Sequence, residues 1–162
     1  MATKASRQSN VVINDKVALD NGRIYELWSF QSTEAGNPYA MSAIREAIIR
    51  FAKQAGIAGN DLSDIQIALG EALDNAVEHG SPIPGVSMVG LGCEVVNGCF
   101  IATISDEGKP FDYRGVPEPV FEDCPECGLG IFLMRQVMDC VQFCRSDVGN
   151  SVRLVKKLGA AA

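Results

Sequence analysis

The chain has 162 residues, of which 47% are hydrophobic and 21% charged, and its net charge is −6. This composition predicts one globular domain, residues 11–162, behind a flexible polar lead at residues 1–10. The acidic balance and the lack of a Lys/Arg cluster argue against nucleic-acid binding, because that affinity rests on neutralising phosphates. Neither a signal peptide nor a membrane-spanning stretch is evident, so we expect a cytoplasmic protein with no membrane partner.

The first predicted elements are two strands, VVINDKVAL and RIYELWSF, on either side of an Asn21-Gly22 pair. An Asn-Gly pair between apolar segments is a strong hairpin signal. From about Pro38 the apolar residues recur at helical spacing, and Gly56 is placed as the helix stop. The chain is therefore expected to open with a hairpin and a helix.

The second predicted helix follows GIAGND and ends at Gly80. Ser63 with Gln66 three residues later has the spacing of a capping box. Glu71 and Asn75 lie together on one flank of the apolar stripe, with His79 nearer the core. The predicted core stripe consists of Ile65, Leu69, Ala72, Leu73 and Ala76. Polar boundary residues are common on helices, so the helix alone leaves open whether this edge binds a ligand.

The rest of the chain predicts a second hairpin, a loop, a helix and a strand. VSMVGLGCEVV and CFIATIS join through Asn97-Gly98, and residues 109–127 read as a long functional loop. LGIFLMRQVMDCVQF predicts a last helix, and SVRLVKKL predicts a closing strand. The apolar face of that helix would hold Ile131, Met134, Met138 and Val141. This order predicts an α+β fold of two layers, with helices on one face of a mixed, largely antiparallel sheet.

Three further stretches place ligand-binding residue types at element ends. SDEGKPF puts Asp106 at the end of an apolar strand and Gly108 just after it. An ionised carboxylate only accepts hydrogen bonds, so it suits the exocyclic amine of adenine and repels the carbonyl of guanine. CGLGIF puts Gly128 and Gly130 at a helix start, where free N–H groups favour a phosphate. VGNSV supplies a polar turn before the last strand, and no Walker or Rossmann motif is present.

Taken in order, EALDNAVEHG, DEGKPF, GLGIFLM and GNSV resemble the N, G1, G2 and G3 boxes of the GHKL (Bergerat-fold) ATP-binding superfamily. Within it, the chain is most similar to the stand-alone anti-sigma-factor serine/threonine kinases. The resemblance covers about residues 24–158. Asn150-Ser151 departs from it, because a Gly-Thr pair is more usual there, and the first strand also goes beyond the usual pattern.

The resemblance implies a role for each polar residue. Asp106 would bind the adenine amine, Gly108 would let the base approach, and Asn75 would offer its amide oxygen to Mg²⁺, which prefers hard oxygen ligands. Glu71, one turn away, would accept the proton of the attacking hydroxyl. Residues 112–127 would form the lid over ATP.

The implied function is an ATP- and Mg²⁺-dependent protein kinase that binds a sigma factor and phosphorylates an anti-anti-sigma protein of STAS type. The resemblance also suggests a homodimer. A different hypothesis is an ATP-gated binding module in which Glu71 has no catalytic role. A third, the ATPase domain of a histidine kinase, requires an acceptor histidine on another chain, because the one histidine here, His79, lies inside the nucleotide motif.

The six cysteines raise a separate question. Without an export signal, we expect free thiols. Cys124 and Cys127 form a C-x-x-C pair in the predicted lid, and with Cys93 and Cys99 they supply enough thiolates for a zinc site. A redox switch at the C-x-x-C pair is an alternative. The two cysteines of the last predicted helix are expected to be small buried hydrophobes.

Overall fold

The computed structural model describes residues 12–20, 23–35, 38–83, 86–115 and 129–159, with side chains from residue 39 onward. The predicted lead, residues 1–10, lies outside the described residues. The helices are α1 (Pro38–Gln54), α2 (Gly59–Glu78) and α3 (Leu129–Val137), and a short 3-10 turn covers Tyr113–Gly115. The strands are β1 (Val12–Asp20), β2 (Arg23–Ala35), β3 (Met88–Val96), β4 (Cys99–Asp106), β5 (Cys140–Ser146) and β6 (Gly149–Lys157).

The six strands form one sheet in the order β1-β2-β3-β4-β6-β5, and every described pair is antiparallel. Both predicted hairpins are present, β1 with β2 and β3 with β4. Asn97 and Gly98 of the second hairpin have φ values of 51° and 71°, as a type I′ turn requires. The predicted α+β sandwich is confirmed, with a sheet that is antiparallel throughout the described pairs.

The helices cover one face of this sheet. Leu91 lies opposite Ile104, which lies opposite Val152, and all three are buried. Alternate residues of a strand point to one face, so the buried set of the central strands faces the helical layer. The predicted core stripe of α2 is confirmed, since its five residues are all buried. In the described ranges, no helix has the length and apolarity that crossing a membrane requires.

The start of α2 differs from the prediction. The helix begins at Gly59, and Ala58 at the N-cap position makes no side-chain cap. Ser63 lies inside the first turns, where its hydroxyl donates to the Gly59 carbonyl at 3.3 Å. The predicted capping box is therefore wrong. The stop of α1 is confirmed at Gly56, whose φ is 81°.

The last predicted helix is wrong in its second half. α3 ends at Val137, and the strand β5 follows at residues 140–146. The helical spacing of Met134 and Met138 runs directly into the period-two pattern of Val141 and Phe143. That second pattern is too short to be separated from the first by periodicity alone.

The two cysteines predicted to be buried on that helix therefore lie on an edge strand. Cys140 is half-buried and Cys144 is exposed on β5. An edge strand has a neighbour on one side only, so its side chains are covered less than those of a packed helix.

Lys156 ties the helical layer to the sheet at the end away from Asp106. Its Nζ donates to Asp64 Oδ2 at 2.6 Å and to the Val137 carbonyl at 2.9 Å. The hydrogen bond to Asp64 raises the pKa of Lys156, against the opposing effect of burial. One side chain thus links β6 to both α2 and α3.

Candidate nucleotide site

The polar edge of α2 meets the first turn of α3 at Glu71. Glu71 and Asn75 lie one turn apart on α2, and both are half-buried. A Cβ added to Gly130 would lie 2.6 Å from Glu71 Oε2. The carboxylate therefore packs directly against the start of α3, and a side chain at Gly130 would displace it.

The other end of the same edge meets the end of β4. Asp106 faces the helical layer and packs against Gly80, where any side chain would collide with the carboxyl group. A Cβ on Gly108 would lie 2.6 Å from Gly80 Cα and 2.8 Å from the His79 carbonyl oxygen. The end of α2 and the loop after β4 are thus in backbone contact, which requires glycine on both sides.

The Asp106 carboxylate is held through one of its two oxygens. Oδ1 accepts the Gly108 N–H at 2.8 Å and the Asn150 Nδ2 at 3.0 Å. Among the described residues, Oδ2 accepts no hydrogen bond. One carboxylate oxygen is therefore fixed by the protein, and the other remains available to a ligand.

Five of the predicted site residues line one edge of the helical layer: Glu71, Asn75, Asp106, Gly108 and Gly130. Gly128, together with Cys124, Cys127 and most of the predicted lid, lies outside the described residues. The Asp106 carboxylate lies at one end of this edge, the Glu71 carboxylate at the other, and the Asn75 amide between them.

The expected position of His79 is wrong. Its side chain is 73% exposed rather than near the core. α2 ends at Glu78, and His79 is the C-cap, whose N–H donates to the Asn75 carbonyl at 2.9 Å. Because the helix ends here, no following turn of α2 packs beside the His79 side chain.

Two further glycines belong to this site, although the sequence pattern does not single them out. The pattern indicates Gly80 only as a helix stop and Gly149 only as part of a polar turn. A Cβ on Gly149 would collide with the Asp106 backbone, and its φ of 148° favours glycine. The position of Gly149 within GNSV is the one available signal.

The two described cysteines of the predicted four-thiolate set, Cys93 and Cys99, point to opposite faces of the sheet. Cys93 is buried on the helix-facing side of the sheet. It pairs with Ala102, whereas Cys99 precedes Phe100 of that same face and so points to the opposite side. Burial raises the pKa of the Cys93 thiol, which disfavours the thiolate that a metal requires. The described ranges contain no group of three or more His, Cys, Asp or Glu side chains that could hold a metal ion.

A groove of about 470 Å³ opens on the sheet face turned away from the helices. Its floor is a row of small residues across four strands: Gly90, Ser105, Ser151 and Cys144. It borders Asp106 but neither Glu71 nor Asn75. The groove thus meets the edge of predicted residues only at its Asp106 end.

Comparisons with known proteins identify the family of this chain. Residues 35–156 match the histidine kinase-like ATPase domain family. The chain is 30% identical over 129 residues to the serine-protein kinase RsbW of Bacillus licheniformis, covering 75% of this chain and 80% of that protein. It is 26% identical over 144 residues to the serine-protein kinase RsbW of Halalkalibacterium halodurans, covering 84% and 87%.

A solved structure is similar in fold. It is the crystal structure of the RsbU and RsbW domains of a Mycobacterium tuberculosis protein, with a TM-score of 0.62 and 18% identity. The match covers 83% of this chain but only 33% of that one. At this identity, the likeness concerns the fold alone.

Proposed function

The chain belongs to the histidine kinase-like ATPase domain family and groups with its serine-protein kinases, and on this premise we propose that it is an anti-sigma factor with ATP-dependent kinase activity. In this proposal, residues 11–162 form one ATP-binding unit. It binds a sigma factor, phosphorylates an anti-anti-sigma protein of STAS type and acts as a homodimer. The main support for the proposal is the polar edge of α2, with Asp106 at one end and Glu71 at the other.

The adenine ring would lie at the Asp106 end. Oδ2 of Asp106 is the acceptor left over once Gly108 and Asn150 have used Oδ1. A carboxylate oxygen accepts the exocyclic amine of adenine but repels the carbonyl oxygen that guanine carries at the same position. The proposal therefore includes selectivity for ATP over GTP.

The triphosphate would run along α2 towards Glu71. Glu71 and Glu78, the last residue of α2, are seven residues apart, which is about 10 Å of helix at about 1.5 Å per residue, and Gly80 lies two residues further on. An extended nucleoside triphosphate can bridge such a distance. Its last phosphate would then reach the start of α3, where the helix dipole and the backbone N–H groups of a helix start favour an anion, with Gly128 and Gly130 leaving the backbone accessible.

Asn75 would hold Mg²⁺ through its side-chain oxygen. The donor set fits this ion, because Mg²⁺ takes one or two protein oxygens and completes its shell with phosphate oxygens and water. Asn75 is half-buried on the polar edge, between the two ends of the proposed site. The bound ion would neutralise the charge that develops on the phosphates.

Glu71 would serve as the general base. The hydroxyl oxygen of the substrate serine or threonine forms a bond to the γ-phosphorus while the bond from that phosphorus to the bridging oxygen breaks, and ADP leaves. The hydroxyl proton passes to the Glu71 carboxylate. Packing against Gly130 supports this role, because it restricts where the carboxylate can lie.

The ATP-gated binding module differs from the kinase in its claim about Glu71. We therefore choose Glu71→Gln, with Glu78→Gln on the exposed face of the same helix as the control. A partner would be isolated from the native cell with ATP or ADP present. For each variant, calorimetry would give the ATP affinity, and radiolabelled ATP would give the rate of γ-phosphate transfer to that partner.

If the chain is a kinase, the ATP affinity of Glu71→Gln should lie within about threefold of the wild-type affinity. Its rate of phosphate transfer should be about 10² to 10⁴-fold lower. Transfer at the wild-type rate by Glu71→Gln would remove Glu71 from the mechanism. If the wild-type protein binds ATP and its partner but transfers no phosphate, the binding module replaces the kinase.

A further inference from the structure

Asn150, the second residue of β6, joins Asp106 to the loop that follows β4. Its Nδ2 donates to Asp106 Oδ1 at 3.0 Å and to the Lys109 carbonyl at 3.1 Å. Its Oδ1 accepts the Phe111 N–H at 3.1 Å. Both donors and the acceptor of this one carboxamide are therefore in use.

The three partners fix the orientation of the amide group. A carboxylate and a backbone carbonyl only accept hydrogen bonds, and a backbone N–H only donates. The flipped amide of Asn150 would therefore lose all three hydrogen bonds, so the partners assign its nitrogen and oxygen without ambiguity. A serine or threonine hydroxyl has only one hydrogen to donate, so it could not serve both the Asp106 carboxylate and the Lys109 carbonyl.

The two oxygens of Asp106 are made unequal by this contact. A carboxyl group can rotate about its last bond by half a turn and look the same. Asn150 and the Gly108 N–H both bind Oδ1, so the plane of the carboxylate is held and Oδ2 keeps one direction. Because Asn150 also holds Lys109 and Phe111, the same side chain fixes the path of the chain beyond Gly108.

We propose that Asn150 is a positioning residue for base selectivity, which acts by holding the Asp106 carboxylate so that Oδ2 meets the base amine. This role rests on the proposed ATP site. Asn150 is one of the two residues, with Ser151, at which this sequence departs from the usual Gly-Thr pair. A carboxamide in this place links the selectivity group and the adjoining loop through one side chain.

The test compares ATP with the triphosphate of purine riboside, which lacks the exocyclic amine. Asn150→Ala is the test variant, and Ser151→Ala is the control, since Ser151 points to the opposite face of the sheet. We expect Asn150→Ala to reduce the preference for ATP over the analogue about tenfold, the scale of one hydrogen bond to a charged group. The affinity for the analogue should change less than about twofold, and Ser151→Ala should keep the full preference.

A second variant separates positioning from folding. Asn150→Thr keeps one donor for Asp106 and suits a strand, so it should restore most of the amine preference that Asn150→Ala loses. In an Asp106→Ala background, Asn150→Ala should leave the preference unchanged, because the effect passes through that carboxylate.

Equal loss of affinity for both nucleotides in Asn150→Ala would mean a structural role only and would overturn the inference. So would an unchanged preference for ATP in that variant. If the wild-type protein binds neither nucleotide, the proposed function itself fails. If it binds both with equal affinity, the assignment of Asp106 fails, and these results are distinct from an effect at Asn150 alone.

Discussion

The two ends of the polar edge of α2 are built differently. At the Gly80 end, glycine backbones enclose Asp106 and two hydrogen bonds fix one of its oxygens. At the other end, the Glu71 carboxylate packs against Gly130, and no described residue forms a hydrogen bond with it. We infer that base recognition is preorganised by the chain itself, whereas the transfer end obtains its remaining contacts from the nucleotide and the protein substrate.

The largest effect on nucleotide affinity is expected from Asp106→Asn, which changes the preorganised end. Gly108 N–H and Asn150 Nδ2 both donate, so the new amide must place its oxygen where Oδ1 was. Its NH₂ group then faces the base, where it opposes the adenine amine and suits the guanine carbonyl. The ratio of ATP to GTP affinity should fall about 100-fold, because a favourable hydrogen bond to adenine is replaced by a clash of two donors.

Calorimetry with both nucleotides measures this ratio for Asp106→Asn. Asp74→Asn is the matched control, because that carboxylate is 57% exposed and pairs with Arg45, away from the polar edge. The control should keep the wild-type ratio. An unchanged ratio in Asp106→Asn would contradict the hydrogen-bond assignment at this end.

A smaller effect is expected from Gly130→Ala at the transfer end. The added Cβ would lie 2.6 Å from Glu71 Oε2 and would displace the carboxylate, which can move because it ends a flexible side chain. Phosphate transfer should slow roughly tenfold, since a displacement of about 1 Å is costly for a positioned group. ATP affinity should change much less than the rate.

Gly70→Ala provides the control for that measurement. Gly70 is also helical, and a Cβ there would meet nothing within 4 Å. This variant should transfer phosphate at the wild-type rate and be more stable by about 0.5–1 kcal/mol, because alanine loses less backbone entropy in a helix. Equal transfer rates for the two alanine variants would show that Glu71 does not depend on Gly130.

The smallest functional effect is expected from Lys156→Met, far from both ends of the edge. The variant removes the bonds to Asp64 and Val137 and should lower the free energy of unfolding by about 2 kcal/mol. ATP affinity should be unchanged. Lys157→Met, at the exposed neighbour, should cost less than about 0.5 kcal/mol.

The pH dependence of Lys156→Met follows from the raised pKa of Lys156. A group whose folded pKa is raised stabilises the protein fully below its unfolded pKa of about 10.5, and that contribution is lost as the pH rises through the folded pKa. The stability difference between wild type and Lys156→Met should therefore persist at pH 7 and shrink under strongly alkaline conditions. Urea unfolding at several pH values measures it, and a difference that grows with pH would contradict the ion pair.

Features with a local cause were predictable from the sequence. Asn97-Gly98 predicts its hairpin because both residues adopt positive φ, and the α2 stripe follows from helical periodicity. The boundary between α3 and β5 was not predictable, because the strand pattern around Val141 is short and continues an apolar spacing. Element type thus followed from periodicity, while element ends depended on pairing across the sheet.

Features that depend on tertiary contacts could not be predicted from the sequence. Gly80 and Gly149 are required because Asp106 approaches both of them, and neither requirement is visible in the local sequence. The carboxamide of Asn150 bonds to residues 44, 41 and 39 positions earlier in the chain. The motifs include Asp106, but the contacts that hold its carboxylate depend on how distant segments fold together.

In the proposed kinase activity, this chain moves the terminal phosphate of ATP to a protein hydroxyl. The most direct measurement incubates the wild-type protein and its co-purified partner with ATP labelled in either the γ- or the α-phosphate, with and without Mg²⁺. We expect γ-label on a serine or threonine of the partner only when Mg²⁺ is present, and no α-label. A partner that is held in an ATP-dependent manner yet acquires no γ-label in the presence of Mg²⁺ would contradict it.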